Sequence, residues 1–227
     1  MKTAILQSNY IPWKGYFHLI KSVDTFVLYD SVQFTKNDWR NRNKIVIGGS
    51  PAWLTIPVRH HNLTQTISET TVANKFWAKK HWKSIQQAYS KAPFFKDFRL
   101  QFEDCYRKCG EIERLSKINF LFIERICDIL KIDTKIITDD HFQLPEDRIE
   151  RLLEICSVTG ATTYVSGPAA KSYIDEAKFL EHGINIQWID YCGYLPYKQL
   201  SSEFDHFVSI LDLLFCYGPD FENYLGQ

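Results

Sequence analysis

The stretch MKTAILQSNYIPWKGYFHLIKSVDTFVLYD, residues 1–30, decides the fold. Thr3–Gln7 is a continuous apolar run, Lys14–Ser22 fits one short helix, and Asp24–Asp30 is rich in β-branched and aromatic residues. Strand, helix and strand within about 30 residues form a βαβ unit, and such a crossover makes its two strands parallel.

Working outward, KIVI and AWLTI flank GGSP, which predicts a β-hairpin arm over residues 44–57. Residues 74–131 then change to helical spacing, from Phe76, Trp77, Trp82, Ile85 and Tyr89 through to Leu130. This block reads as three helices broken near Pro93 and Gly110. Alternation then returns. A strand is expected in Lys131–Asp140, a helix from Pro145 to its stop at Gly160, a strand in ATTYVSG, a helix over Ala170–His182 and a strand in HGINIQWIDY. Apolar residues at Phe207, Ile210, Leu211, Leu214 and Phe215 predict a closing helix ended by Gly218-Pro219. The expected architecture is α/β: a Rossmann-like, mostly parallel sheet of about five strands with a β-hairpin arm and a helical insert, in one domain over residues 1–227.

Composition bounds the function. The 27 basic residues balance 27 acidic ones, so no overall field favours nucleic acid or an anionic membrane. MKTAILQSNY turns polar too soon for a signal peptide, and no window reaches the apolar length of a membrane span, so a cytoplasmic location is expected. The six cysteines are scattered and read as reduced, mostly buried thiols. His60-His61 and Cys105/Cys109 lack partnering ligand pairs, so no metal site is expected. No Gly-x-Ser-x-Gly elbow is present, and covalent catalysis is not indicated.

Three places can carry chemistry at the carboxyl ends of parallel strands. The first is the opening turn. Gln7 and Ser8 end a strand, Gly15 permits close approach, Trp13 and Tyr16 can stack a ring, and Lys14 or His18 can meet phosphate; the alternative is an aromatic lid on the core. The second is Asp30 with the arm SVQFTKNDWRNRNK, where Lys36, Arg40, Arg42 and Lys44 alternate with Trp39, Asn41 and Asn43. That composition suits a phosphate clamp, and the alternative is a solvated basic loop. The third is Ser166-Gly167, between a strand and a helix, which can receive an anion or simply cap the helix.

Gln7, Tyr10, Pro12-Trp13, Gly15-Tyr16-Phe17, Asp30, Val32-Gln33-Phe34, Lys36 and Trp39-Arg40-Asn41-Arg42-Asn43 together resemble the opening of the WbqC-like protein family. TTYVSGPAAKSYID, Tyr197-Lys198-Gln199 and SILDLLFCYG resemble its later blocks, with Ser8 departing from the Pro that members commonly carry. The resemblance implies a place in surface-polysaccharide (O-antigen type) biosynthesis, with attachment of an acyl or aminoacyl group to an amino sugar as the suggested activity. The opening layout is also similar to the His-x-Gly-His turn of nucleotidylyltransferases and pantothenate synthetase, with Trp13 and Tyr16 in the histidine places.

The sequence thus leads to an expected transferase or amide-forming ligase that uses a nucleotide-linked or activated small-molecule donor, with no cofactor assigned beyond a nucleotide or sugar-nucleotide substrate. The expected catalytic residues are Asp30, Lys36 and Arg40. Gln7, Tyr10, Trp13, Gly15, Tyr16, Gln33, Trp39, Arg42, Asn43, Ser166 and Gly167 are the expected binding residues. The competing reading is a sugar-nucleotide binding protein without turnover, and nucleic acid is the weakest partner.

Overall fold

In the computed structural model, which describes residues 1–218 and 224, the opening stretch forms β1 (Lys2–Leu6), α1 (Lys14–Lys21) and β2 (Thr25–Leu28). Three further parallel strands complete the sheet: β7 (Lys135–Thr138), β8 (Thr163–Ser166) and β9 (Asn185–Trp188). The order across it is β7-β2-β1-β8-β9, and every neighbouring pair is parallel. In chain order this is third, second, first, fourth, fifth, the doubly wound arrangement whose direction of winding reverses between β1 and β8. Helices from the two halves leave to opposite faces there, and their divergence opens a crevice.

Each face of the sheet has its own core, because side chains alternate along a strand. Ala4, Phe26, Leu28 and Val165 face α1 and the helical insert. Ile5, Val27, Tyr29 and Tyr164 face α5 (Arg148–Val158) and α6 (Glu176–Glu181).

Between β2 and β7 the chain makes two excursions. The hairpin of β3 (Arg42–Ile47) and β4 (Ser50–Thr55) pairs Ile47 with Ser50 across a two-residue loop. Gly48 and Gly49 have φ of 60° and 84°, the left-handed values a tight primed turn needs and glycine adopts without strain. A small pair missed from the sequence, β5 (Val58–Arg59) with β6 (Thr71–Val72), stands apart from the central sheet and leads into the insert.

The insert is then α2 (Phe76–Tyr89), α3 (Phe95–Cys109) and α4 (Leu115–Leu130), as the periodicity predicts. It closes on α7 (Ile210–Tyr217), whose Phe215 ring lies 5.2 Å from Tyr89, 5.1 Å from Phe95 and 5.5 Å from Phe102. Full burial of such a ring contributes about 1.5–3 kcal/mol, so α7 locks the insert to the rest of the molecule.

The second half departs locally from expectation. α5 begins at Arg148 rather than Pro145, because Asp147 accepts the N–H groups of Ile149 and Glu150 as an N-cap. The helix expected over 170–182 divides into a 3-10 turn, Pro168–Ser172, and α6, restarted by the Asp175 cap on Ala177. Phe207 lies outside α7, which starts after Ser209 caps it. The Pro219 of the expected stop falls outside the described residues.

Candidate functional site

The crevice at the switch point is a cleft of about 940 Å³ on the α5 side of the sheet. Its floor is the end of β1 and its neighbours: Ile5, Leu6, Gln7, Tyr29, Tyr164 and Ser166. One wall is the first turn of α5, which presents Arg148, Arg151 and Leu152, and the other is the segment Gly167–Tyr173 after β8. The rim is built by a returning loop. Phe34 donates its N–H to Gln65 O at 2.8 Å and Ile67 to Val32 O at 3.0 Å, which places Leu63, Thr64 and Thr66 beside Ser31, Gln33 and Thr35.

Tyrosines and cations give the cleft its character. The Arg148 guanidinium stacks on Tyr173, 3.5 Å from the ring centroid. Burial raises the Tyr29 hydroxyl above its ordinary range, opposed by Arg151 beside it. Ser166 Oγ donates to Tyr164 OH at 3.3 Å, and burial raises Tyr164 too. These hydroxyls therefore remain protonated donors at neutral pH. Glu146 is the acidic side chain among the lining residues, so the balance favours an anionic guest.

The opening turn sits behind this cleft. Gln7 lines it, and Gln7 Oε1 accepts from Arg40 Nη2 at 3.2 Å. Arg40 Nη1 donates to Asn9 Oδ1, and the guanidinium pairs with Asp38 at 3.7 Å. Burial opposes ionisation of Asp38, but Arg40, the Thr35 hydroxyl, the Trp39 N–H and Arg42 together outweigh it and hold the carboxyl below its usual range. Thr35, on the cleft rim, donates to the same Asp38 at 2.7 Å, so Arg40 lies one side chain back from the cleft by two routes.

Asp30 is buried beneath the turn, with its Oδ1 accepting the Ser8 N–H at 2.8 Å. Burial lifts its carboxyl to about 6, although the Ser8 bond pulls the other way. Asp139, also buried, accepts the N–H groups of Asp30 at 3.2 Å and Ser31 at 3.0 Å, so two carboxylates link the ends of β1, β2 and β7. Asn119, from α4, donates to Ser8 Oγ at 3.0 Å and Arg40 O at 2.9 Å, joining the insert to the turn.

The remaining candidates divide. Gln33, Ser166 and Gly167 join Gln7 in the cleft. Trp13, Trp39 and Asn43, with Asn9, Pro12 and Phe207, line a separate hollow of about 290 Å³. Gly15 lies under Trp13, where an added Cβ would come within 2.2 Å of the indole. Tyr16 is buried, packs against Phe17 and Phe26, and donates to Gln7 O at 3.0 Å. Tyr10 is buried in a chain of bonds to His81 Nδ1 at 2.9 Å and Tyr106 OH at 2.6 Å. Lys36 is exposed, and Arg42 stacks on Trp53 at 4.1 Å while bonding Asn37. The turn, Asp30 and the arm thus meet in space, but around a packed junction, with the cleft and the smaller hollow lined by separate residues.

Sequence reasoning missed Tyr29, Arg148, Arg151 and Tyr173, which line the cleft, and Asn9 and Asn119, which brace the turn. A signal existed for the arginines. Cations in the first turn of a helix oppose its dipole, and α5 places two there.

Among the described residues, no group of three or more His, Cys, Asp and Glu side chains is placed to hold a metal, and no helix is long and apolar enough to cross a membrane. Cys105, Cys109, Cys127 and Cys156 are buried. Burial pushes the thiols of Cys127 and Cys156 up to about 12, far from a ready nucleophile.

A doubly wound sheet with a polar, arginine-walled cleft at its switch point defines the class as an α/β fold. The chain belongs to the WbqC-like protein family, whose model matches residues 7–224. It is 43% identical over 225 residues to the uncharacterized protein Rv1507c of Mycobacterium tuberculosis (strain ATCC 25618 / H37Rv), a match covering 99% of this chain and 97% of the relative. No solved structure gives a significant match.

Proposed function

We propose that the cleft binds an activated, anionic donor, nucleotide-linked or otherwise phosphorylated, and that the protein transfers an acyl, aminoacyl or related group from it to an amino sugar during surface-polysaccharide biosynthesis. The observation that carries the reading is the pairing of Arg148 and Arg151 with tyrosine surfaces in a cleft of about 940 Å³ at the point where open α/β sheets collect ligands. The volume lies near the top of the range for small-molecule sites.

In this reading the arginines grip phosphate oxygens, Tyr173 and Tyr29 flank the ring, and Gln7, Gln33 and Ser166 supply directional hydrogen bonds. The acceptor amine forms a C–N bond as the bond from the carbonyl carbon to the activating oxygen breaks, and the amine proton leaves to a base. Arg40 holds Gln7 against the cleft, Asp30 fixes Ser8 behind it, and Lys36 stands at the exposed end of the arm. Rate enhancement then comes mainly from positioning and electrostatics.

A protein that binds the donor without turnover is the second reading, favoured by the burial of Asp30, the base expected from the sequence, behind the cleft rather than in its lining. Calorimetric titration against ATP and a sugar-nucleotide panel, with mass analysis of products, separates them. Arg148→Ala and Arg151→Ala are expected to weaken donor binding at least about tenfold each, the scale of a lost charge-assisted bond. Donor binding that survives both changes would place the site elsewhere.

A further inference from the structure

The smaller hollow shares no lining residue with the cleft, and its walls differ in kind. Trp13, Trp39, Pro12 and Phe207 are apolar, Asn9 and Asn43 are its polar lining residues, and among the described residues no charged side chain lines it. Asn43 is already spent. Its Nδ2 donates to Tyr10 O at 3.1 Å and Ile11 O at 2.8 Å, and its Oδ1 accepts from Lys44 N at 2.8 Å. Those bonds hold Ile11 at a φ of 37°, a conformation a β-branched residue adopts only when its surroundings impose it.

Asn9 is different. Its side-chain oxygen faces Arg40, which fixes the amide's orientation, while Nδ2 makes no hydrogen bond among the described residues and keeps access to solvent in an otherwise buried residue. A built hollow therefore contains one oriented, unused amide donor among aromatic faces.

We infer that this hollow is a carbohydrate subsite that takes one neutral pyranose ring, its C–H face on tryptophan and a hydroxyl oxygen accepting from Asn9 Nδ2. Size and charge select the class. About 290 Å³ is at the low end of ligand pockets, enough for a single ring but not for a nucleotide, and the uncharged lining offers phosphate nothing. Ring geometry separates sugar from nucleobase. Trp13 and Phe207 are in contact at 5.4 Å, as are Trp39 and Trp53 at 5.3 Å, so neither pair leaves a slot for a flat base between two faces. A pyranose needs only one face and a directional donor. The inference stands apart from the donor reading of the cleft.

The test is calorimetry and tryptophan fluorescence on the full chain with methyl glycosides of glucose and N-acetylglucosamine, and with adenosine and uridine as the competing class. The glycosides are expected to bind in the millimolar range and shift tryptophan emission. Trp39→Ala, whose backbone carbonyl still accepts from Tyr10 N, and Asn9→Ala should each weaken glycoside binding about three- to tenfold. Arg151→Ala should leave it unchanged, which separates this subsite from the cleft. The inference is overturned if the wild-type protein binds no glycoside at millimolar concentration, if nucleosides bind more tightly than glycosides, or if Arg151→Ala abolishes glycoside binding. Should Trp39→Ala fail to fold, the Asn9→Ala result and the wild-type selectivity decide.

Discussion

The carboxylate of Asp30 and the backbone N–H of Ser8 are 2.8 Å apart in a buried setting, so the end of β2 directly holds the turn that leaves β1. With burial lifting that carboxyl from 3.8 to about 6, the ionised form is disfavoured by the fold. Its stabilising contribution is complete below the unfolded pKa and is lost as pH rises from about 4 to 6; at 1.36 kcal/mol per pKa unit, the loss is on the order of 3 kcal/mol. Asp30→Asn keeps an acceptor for Ser8 and should remove this slope. Urea denaturation of both proteins from pH 4 to 7 is expected to show a stability difference that moves in favour of the variant as pH rises. A constant difference would mean the carboxyl titrates alike folded and unfolded.

His81 should act in the opposite sense. Its Nε2–H donates to Thr55 O at 3.2 Å and its Nδ1 accepts from Tyr10, so the ring is held neutral, and burial lowers its pKa to about 4. A depressed histidine costs the fold stability as pH falls from about 6.5 to 4, because the unfolded chain binds the proton first. Tyr10→Phe leaves Nδ1 and the Tyr106 hydroxyl without that partner and should cost about 1–3 kcal/mol at pH 7. Thermal melts of wild type and Tyr10→Phe at pH 7, and of wild type and His81→Gln from pH 7 down to pH 4, check the two effects, and an unchanged melt for Tyr10→Phe would show that the bonds contribute nothing net.

Gly15 is required for room rather than for backbone freedom, since no left-handed φ is involved. An added Cβ meets Trp13 Cζ2 at 2.2 Å and Cη2 at 2.5 Å. Gly15→Ala should therefore destabilise by about 1–3 kcal/mol despite alanine's better helix propensity. In the Trp13→Ala background the same change should become neutral or stabilising. A double-mutant cycle with no coupling between the two positions would refute the contact.

Lys14 is 3% exposed, its ammonium 4.7 Å from the Tyr194 ring centroid, with Tyr197 and Phe204 also close and one long bond of 3.4 Å to Leu195 O. Burial lowers its pKa to about 8. Because the unfolded chain holds this proton to higher pH, folding stability should rise as pH goes from about 8 to 10.5, by up to about 3 kcal/mol relative to Lys14→Met. The comparison needs only denaturation curves at pH 7.5 and 9.5. A gap that stays the same at both would leave Lys14 with an ordinary proton affinity.

Much of the architecture was legible because local signals agreed with global need. Gly48-Gly49 between β-rich runs fixed the hairpin, Pro93 and Gly110 divided the insert, and the apolar runs around Ile5, Val27, Ile137 and Val165 became neighbouring strands. The site was harder to read. The notable aromatics of the opening turn could not be sorted by sequence into lining and core. Trp13 reaches a hollow, whereas Tyr16, on a helix that also buries Phe17, Leu19 and Ile20, is packing. Arg148 and Arg151 were overlooked because their importance depends on where α5 begins relative to the sheet edge, which only the strand order reveals. The basic run from Lys36 to Lys44 drew attention by composition, yet three of its four cations are already committed, Arg40 to Asp38, Arg42 to Trp53 and Lys44 to Asp205 at 3.2 Å.

The central position of β1 has a consequence for synthesis on the ribosome. One flank of β1 is covered by β2, whose Thr25 lies opposite Thr3, but the other waits for β8, where Thr3 meets Tyr164. A nascent chain that has passed the hairpin and the insert still carries an open backbone edge on its innermost strand, the kind of edge that recruits foreign strands. Truncation products ending before Thr163 should therefore be captured by chaperones or self-associate, whatever the health of the part already made.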